Sequence, residues 1–563
     1  MRYRSLGVSL RKGLAGLAGH KLLVGILACA FFLRISGNLY DRGNGFHPDE
    51  HHYVATAVQM MIDGTLNPVY FENPPLYSYA ILAVLYGLFG LRYMMGGIAS
   101  LAGFITALPP TVALGLARAL SALAGTTTCL LLFLIGRRFG GELAGLLAAG
   151  FYGVAFLSVR DAHFAVNDVP MVSLLTLAFL FTLRLLEGGR PRDLILGGLT
   201  AGLAAATKYN GGIALLPLLL ACALRAPSEG EPAGAGRARV IGFRALSLLL
   251  LSLAGFLLGN PYGLLDAPAF LDGLTEQYGM REKAWRGQGT YTVPLLALRS
   301  LVVELGWPLL LFVPLAAALC LARGRARANA TLLALSVVLF LVLYHSSLKL
   351  FFARFLLPCT PFIALICAWG IVGLRETPWA PWARRPVVLG LGVAFLIASP
   401  LTRSIYLDLI LRRPDTRILA QEYLERVAPV ESTIAQDLRG TTVFYLPRLN
   451  SSRFRLLSFW SEFHLLNPVI APANYYLFSS FITNRLGKDT YFLERSLALS
   501  LERLGFRQIR FSPLRGGGEI PVELDEIYLP YRDLFRYERS GPTIVIYARP
   551  GMPAPPPPDN DGV

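Results

Sequence analysis

The stretch Leu309-Leu310-Leu311-Phe312-Val313-Pro314-Leu315-Ala316-Ala317-Ala318-Leu319-Cys320-Leu321, followed across Arg323, Arg325 and Arg327 by the apolar run Leu332 to Tyr344, decides the fold. Neither run has a polar stripe, and a helix that is apolar all round belongs in a large core or in lipid. The same alternation of apolar run and basic link recurs as far as residue 402. Of 563 residues, 54% are hydrophobic and only 16% charged, and the mean hydropathy is +0.51. That is too many apolar runs for one soluble core. The chain reads as a polytopic α-helical membrane protein.

Candidate spans are 22–36, 111–135, 142–159, 169–187, 193–207, 211–224, 245–259, 293–321, 331–345, 355–374 and 386–402, about eleven, several shorter than the ~20 residues a crossing helix usually takes. The formal charge of +16 fits this class without a nucleic acid partner. Arg and Lys collect in loops that stay inside and fix the topology. The aromatic residues lie mainly in apolar runs, without the interleaving with cations of a nucleic-acid groove. The six cysteines, at 29, 129, 222, 320, 359 and 367, all fall in apolar segments with no CxxC pair. Neither a zinc site nor a disulfide framework is expected.

Arg2, Arg4, Arg11 and Lys12 ahead of Leu22–Ile35 resemble the start of a signal peptide, and Ala28-Cys29-Ala30 has cleavage-site character. The apolar run continues into Phe31-Phe32-Leu33, so an uncleaved anchor with its N-terminus inside is expected. From that start Arg137-Arg138, Arg184 to Arg192, Arg225 with Arg237 and Arg239, Arg323 to Arg327, and Arg375 with Arg384-Arg385 all fall inside. Leu76–Gly90 is apolar enough to cross, but a crossing there would invert every later loop. It is expected as an interfacial or re-entrant helix within an outer loop 37–110. The two short runs around Lys208-Tyr209-Asn210 are expected as a hairpin, because both flanks are basic. The outer segments are then 37–110, 160–168, 208–210, 260–292, 346–354 and 403–563.

Beyond 402 the apolar runs shorten and charges mix. Asp415–Val427 has helical periodicity, Leu501–Phe511 reads as a helix leading into a strand, and Thr441–Leu446 and Thr543–Ala548 read as strands. The expected organisation is a transmembrane domain 1–402, a soluble α/β domain 403–548 on the outer side, and a disordered tail 549–563 containing Pro555–Pro558.

Two polar knots fall on the outer side: His47-Pro48-Asp49-Glu50-His51-His52-Tyr53, and Arg160-Asp161-Ala162-His163 with Asn167-Asp168-Val169-Pro170. Ionisable groups are costly near a bilayer, which makes the knots candidates for one shared site. His47, His51, His52, His163 and His345 lie in or beside these outer loops. Asp49 or Glu50 could act as a general base; the plainer reading is a helix start, where carboxylates suit the dipole. Lys349 and Arg354 flank the entry to a span, either as snorkelling interface cations or as a phosphate clamp. Arg281, Lys283 and Arg286 admit the same two readings, and Lys208 is either a hairpin-tip charge or a ligand. His47, Asp49, His51, His52, His163 and Asp168 could hold a divalent metal, with His47 and His51 at i,i+4 spacing, but no complete ligand motif is present.

The motifs fall in a telling order: Asp49-Glu50 after the first span, Pro74-Pro75-Leu76, Arg160 with Asp168-Val169-Pro170, Gly202-Leu203-Ala204 to Lys208-Tyr209-Asn210-Gly211, and Arg354-Phe355-Leu356-Leu357-Pro358. Over residues 20–400 or so this resembles the GT-C glycosyltransferases of the protein O-mannosyltransferase and lipid A aminoarabinose transferase type. The resemblance implies a polyprenyl-phosphate sugar donor and an inverting transfer to a hydroxyl or amine of a glycan, lipid or protein acceptor. It implies Asp49 as general base, Glu50 in support, Asp168 positioning a substrate, and Arg354 neutralising the leaving phosphate. His47, His51, His52, Asn73, Arg160, His163, Lys208 and Lys349 are the further candidate substrate contacts.

The chain departs from that pattern at one place. The aminoarabinose branch has Lys and the O-mannosyl branch His just before Pro-Pro-Leu, where this chain has Asn73, which donates a hydrogen bond but carries no charge. Phosphate neutralisation then shifts to Arg354, Lys349 or the 281–286 cations. Arg-, Ala- and Gly-rich usage is that of a high-GC bacterium, and the expected location is the inner membrane with the site on the periplasmic side. A divalent metal is left open, and no other cofactor is expected. Two other readings stay open. One is an oligosaccharyltransferase or sugar polymerase using a lipid diphosphate on the same scaffold; an oligosaccharyltransferase would carry a WWD-type motif, of which Phe459-Trp460-Ser461-Glu462 is a poor match. A transporter would place its charges near the midplane with repeat symmetry, which the sequence lacks.

Overall fold

The computed structural model of the chain describes residues 21–225, 234–282, 292–436, 444–458, 473–485, 488–518, 531 and 533–556. Helix α1 (21–35) is followed by α2 (Pro48–Asp63), α3 (Leu76–Met94), α4 (Leu101–Ala107), α5 (Pro110–Val154), α6 (Phe156–Arg160), α7 (Asp168–Glu187), α8 (Pro191–Thr207) and α9 (Leu215–Leu224). Then come α10 (Ala235–Gly259), α11 (Tyr262–Leu265), α12 (Ala267–Glu282), α13 (Val293–Leu321), α14 (Arg325–Ser346), α15 (Thr360–Glu376) and α16 (Pro386–Leu411). Among the described residues, 8 helices are long and apolar enough to cross a membrane.

Every expected span falls on helix, and the lower number has identifiable causes. Spans 111–135 and 142–159 fall mainly on the two arms of α5, which breaks at Gly141, where φ of 69° is a left-handed value that glycine adopts without penalty. Span 193–207 falls on α8, and 211–224 on α9 with the 3-10 turn Tyr209–Ala214 before it; both, like the described α1, are shorter than the eight. Helix α3 is itself long enough to cross. Its contacts nevertheless return it to the start of α5. The Tyr77 hydroxyl, near the beginning of α3, bonds Ala117 O and Ser121 Oγ inside α5 at 2.7 and 2.8 Å. Phe89, near its end, packs on Phe104, ahead of α5, with ring centroids 5.6 Å apart.

Small residues let helices touch. A Cβ on Gly202 of α8 would lie 2.0 Å from Ser252 O of α10, so only glycine permits that approach. The loops expected inside meet at one end of the bundle. Arg138 pairs with Glu187, Arg327 pairs with Glu376 at 2.9 Å, and Arg327 Nε donates to Phe139 O at 3.0 Å.

The chain divides into two compact units. The first comprises Met1–Asn38, His52–Lys283 and Thr292–Ile405; the second comprises Leu39–His51, Ala284–Tyr291 and Tyr406–Val563. The boundary holds a surprise, because Leu39–His51 was expected within the membrane domain's outer loop. In the second unit α17 (Thr416–Val427), capped by Asp415, α18 (Ser480–Arg485) and α19 (Lys488–Arg503) accompany a five-stranded sheet. Its strands are β1 (Thr433–Gln436), β2 (Arg455–Ser458), β3 (Tyr475–Ser479), β4 (Arg507–Phe511) and β5 (Ile544–Ala548), in the order β2-β1-β3-β5-β4. β1 pairs in parallel with β2 and β3, whereas β5 runs antiparallel to β3 and β4. Leu497 and Leu501 of α19 pack on Tyr476, Phe478 and Tyr547 of the sheet.

Two expectations for this region need correction. Residues 444–446 form a turn rather than a strand, and 441–443 lie outside the described residues. The start of the proline-rich tail is held in place: Pro553 O, Ala554 O and Pro555 O accept from Tyr475, Arg507 and Tyr423 at 3.0, 3.0 and 2.8 Å. Carbonyls that no strand pairs find side-chain donors instead. Residues 557–563 lie outside the described residues.

Candidate active site

In the first unit the starts of α3 and α7, the end of α8 and the turn before α15 converge. Asn167, at the start of α7, donates through Nδ2 to Asn73 Oδ1 at 3.3 Å and to Thr207 O, the last residue of α8, at 2.7 Å. Asn73 Nδ2 donates to the Tyr70 hydroxyl at 3.3 Å, and Tyr70 stacks on His52 with centroids 4.7 Å apart and planes 7° from parallel. Asp168 opens α7, and Lys208 Nζ meets its Oδ1 at 2.5 Å. The pair is mostly buried, with side chains 15% and 4% exposed for Lys208 and Asp168, so the charges compensate each other. The Lys208 ammonium also lies 5.9 Å from the centre of the Phe355 ring, and Phe355 stacks on His345 at 5.0 Å.

Arg354 sits in the 3-10 turn Ala353–Cys359 that leads into α15. It is 9% exposed, and its guanidinium lies 4.8 Å from the Phe352 ring. Phe352 in turn touches Phe355 at 5.4 Å. One chain of contacts therefore runs from His52 to Asn167, and the neighbouring Asp168–Lys208 pair leads on through Phe355 to Arg354. Lys349 is exposed and takes no part in the contacts described.

The second knot is buried from Arg160 to Val169. Arg160 is fully buried and pairs with Asp161 at 3.1 Å. His163 is fully buried, and its two ring nitrogens lie 2.9 Å from Val159 O and Ser36 O. Burial pushes its pKa down to about 4, assisted by Arg34 and Arg118 and opposed by the two carbonyls. The imidazole is neutral at neutral pH.

Glu304, which the sequence reading passed over, ties this knot down. It lies in α13 beside Gly306, where φ of 76° breaks the helix. Its carboxylate accepts from Leu157 N, from Ser158 N at 3.3 Å, from Ser158 Oγ at 2.7 Å and from Thr360 Oγ1 at 2.8 Å. It thereby caps α6, which ends in Arg160, and fastens it to the start of α15. A lone carboxylate in an apolar run two residues before a glycine was the sequence signal available.

In the second unit Asp41 folds the approach to the acidic pair. Its carboxylate accepts from the backbone N–H groups of Gly43, Gly45 and Phe46 at 3.1, 2.9 and 3.2 Å. His47 caps the start of α2: Nδ1 accepts the Asp49 N–H and the carbonyl accepts the Glu50 N–H, both at 3.2 Å. Asp49 remains partly exposed, whereas Glu50 is fully buried. His51 is exposed and lies 6.0 Å from Phe444.

The candidate metal ligands are not brought together. Among the described residues, no three His, Cys, Asp or Glu side chains are grouped to hold an ion. The ring nitrogens of His163 face backbone carbonyls, and the Nδ1 of His47 is occupied by a cap. Lys283 and Arg286, and the side chain of Arg281, lie outside the described residues.

Fold and site together define a multi-pass helical membrane protein with a polar centre at its helix ends. Residues 75–232 match the family described as Dolichyl-phosphate-mannose-protein mannosyltransferase, which bears out the resemblance to glycosyltransferases of that type. The matched stretch contains Asn167, Asp168 and Lys208; Asp49 precedes it and Arg354 follows it. Among solved structures, ArnT from Cupriavidus metallidurans in the apo state aligns over 96% of this chain and 100% of its own, at 15% identity and a TM-score of 0.49. The Archaeoglobus fulgidus oligosaccharyltransferase aligns over 92% of this chain and 77% of its own, at 12% identity and a TM-score of 0.48. No curated protein matches the chain in sequence.

Proposed function

We propose that the protein transfers a sugar from a polyprenyl-phosphate donor to an acceptor hydroxyl or amine, with inversion, on the membrane face opposite the basic loops. In a bacterium this is the periplasmic face of the inner membrane. The family match over residues 75–232 carries the reading, because it contains the Asp168–Lys208 pair and Asn167 beside it. Asp49 takes the acceptor's proton as the acceptor atom bonds to the sugar's anomeric carbon. The bond from that carbon to the phosphate oxygen breaks, and the lipid phosphate leaves with the electron pair. Arg354 neutralises it; a guanidinium makes paired charge-assisted bonds to phosphate oxygens. Asp168, held by Lys208, and the amides of Asn73 and Asn167 orient the sugar or acceptor. Asp49 suits the role of base better than Glu50, because it is partly exposed and Glu50 is fully buried.

The test is transfer by purified protein supplied with a lipid-phosphate sugar and candidate acceptors. Asp49→Asn is expected to lower turnover by ~10²–10⁴-fold, the usual worth of a general base, with donor binding kept. Glu50→Gln is expected to act mainly on folding. Near-normal transfer by Asp49→Asn would remove the assignment.

A further inference from the structure

At the other end of the first unit, a small apolar cleft of about 100 Å³ lies between α13, α15 and α16. Phe312, Ile371, Leu374, Val388 and Leu396 line it, and Gly392 leaves one wall without a side chain. Arg375 and Trp382 line its loop-side end, one in the last turn of α15 and the other in the 3-10 turn Pro381–Arg384. Arg384 donates through Nε to Arg375 O at 2.9 Å, which brings a second guanidinium to the end of α15 beside the cleft. Glu376, the nearest acid in sequence, is engaged by Arg327 at 2.9 and 3.3 Å. Among the described residues, neither Arg375 nor Arg384 pairs with a carboxylate, and Arg375 Nε is buried without a hydrogen-bond partner. Trp379 and Trp382 are 64% and 49% exposed, as befits aromatic residues at a membrane–water interface.

An apolar trough ending in two cations fits an amphiphile with an anionic head. We propose that the cleft binds an anionic phospholipid, with one acyl chain in the trough and the phosphate on Arg375 and Arg384. A zwitterionic lipid is the poorer occupant, because Glu376, the acid beside Arg375, is already engaged by Arg327. Basic pockets between helices at this level of a membrane recognise such head groups, and each cation near the surface adds attraction of useful size.

Native mass spectrometry of the full-length protein with phosphatidylglycerol or phosphatidylcholine of identical chains tests this. The native protein is expected to retain phosphatidylglycerol about fivefold to tenfold better, as two surface cations allow. Arg375→Gln combined with Arg384→Gln is expected to erase that preference and leave phosphatidylcholine retention unchanged. Gly392→Leu, at a position where an added Cβ meets nothing within 4 Å, fills the trough and is expected to lower retention of both. Equal retention of the two lipids by the native protein would overturn the proposal, as would a preference that survives the double substitution. Displacement of the lipid by inorganic phosphate alone would make the site an anion site and overturn it too.

Discussion

Glu304 shows how much one side chain holds together. Four donors from two other elements converge on its carboxylate inside a membrane-spanning helix, where water cannot replace them. Glu304→Ala would strand buried N–H and O–H groups, and each such group costs ~1–3 kcal/mol. We expect a loss of ~2–4 kcal/mol, read as lowered thermal stability in detergent. Glu304→Gln keeps an acceptor oxygen but loses the charge and aims an amide at the remaining donors, so about half that loss is expected. Equal melting of all three proteins would show that the four bonds carry no weight. Arg160 and His163 make a parallel point. Sequence reading put both among the substrate contacts because they are polar residues in a loop between spans. Both are fully buried, Arg160 against Asp161 and His163 between two backbone carbonyls, so each is held in place close to Asn167 and Asp168 in the chain.

Among elements, the segment Leu39–His51 was the hardest to read. Its neighbours in sequence are membrane helices, but its partners lie several hundred residues away. Arg417, in the first turn of α17, lays its guanidinium 3.7 Å from the centre of the Phe46 ring. Asp415 holds that guanidinium at 2.7 and 2.8 Å, and Phe444 O accepts from it at 2.7 Å. Arg42 pairs with Glu422 farther along α17. The second unit therefore builds the approach to Asp49. No local pattern announces such pairing, whereas the periodicity of α17, β4 and β5 was visible because it is local. Arg417→Ala leaves Asp415 buried without its cation, a change that costs ~3–5 kcal/mol. Phe46→Ala removes only the ring and spares the ion pair. Both are expected to speed hydrogen exchange at Gly43, Gly45 and Phe46 and to lower transfer, with Phe46→Ala keeping the rest of the second unit protected. Unchanged exchange across residues 41–47 in Phe46→Ala would show that the segment stands without Arg417.

At the scale of the whole molecule, composition and loop charge made the class legible, since lipid selects apolar runs and cations select loops. The helix ends that meet at Asn73, Asn167, Asp168 and Lys208 were legible only as separate motifs; their meeting depends on packing that includes the close contact at Gly202. Orientation is the remaining step. α7 runs from Asp168 to Glu187 and α15 from Thr360 to Glu376, so the polar centre and the Arg138, Arg327 and Glu376 contacts lie at opposite ends of the same helices. Loop charge alone puts residues 403–563 outside and Arg323 to Arg327 inside, so Ser451 is expected to face outward and Ala326 inward. Both are exposed, which makes them usable as single-cysteine positions. Among the native cysteines only Cys29 is exposed, so Cys29→Ser gives a quiet background. In intact cells a membrane-impermeant maleimide is expected to label Ser451→Cys and to reach Ala326→Cys only after lysis. Labelling of Ala326→Cys but not Ser451→Cys in intact cells would invert the protein. The polar centre would then open to the cytoplasm, and the lipid-phosphate sugar would have to be used on that side.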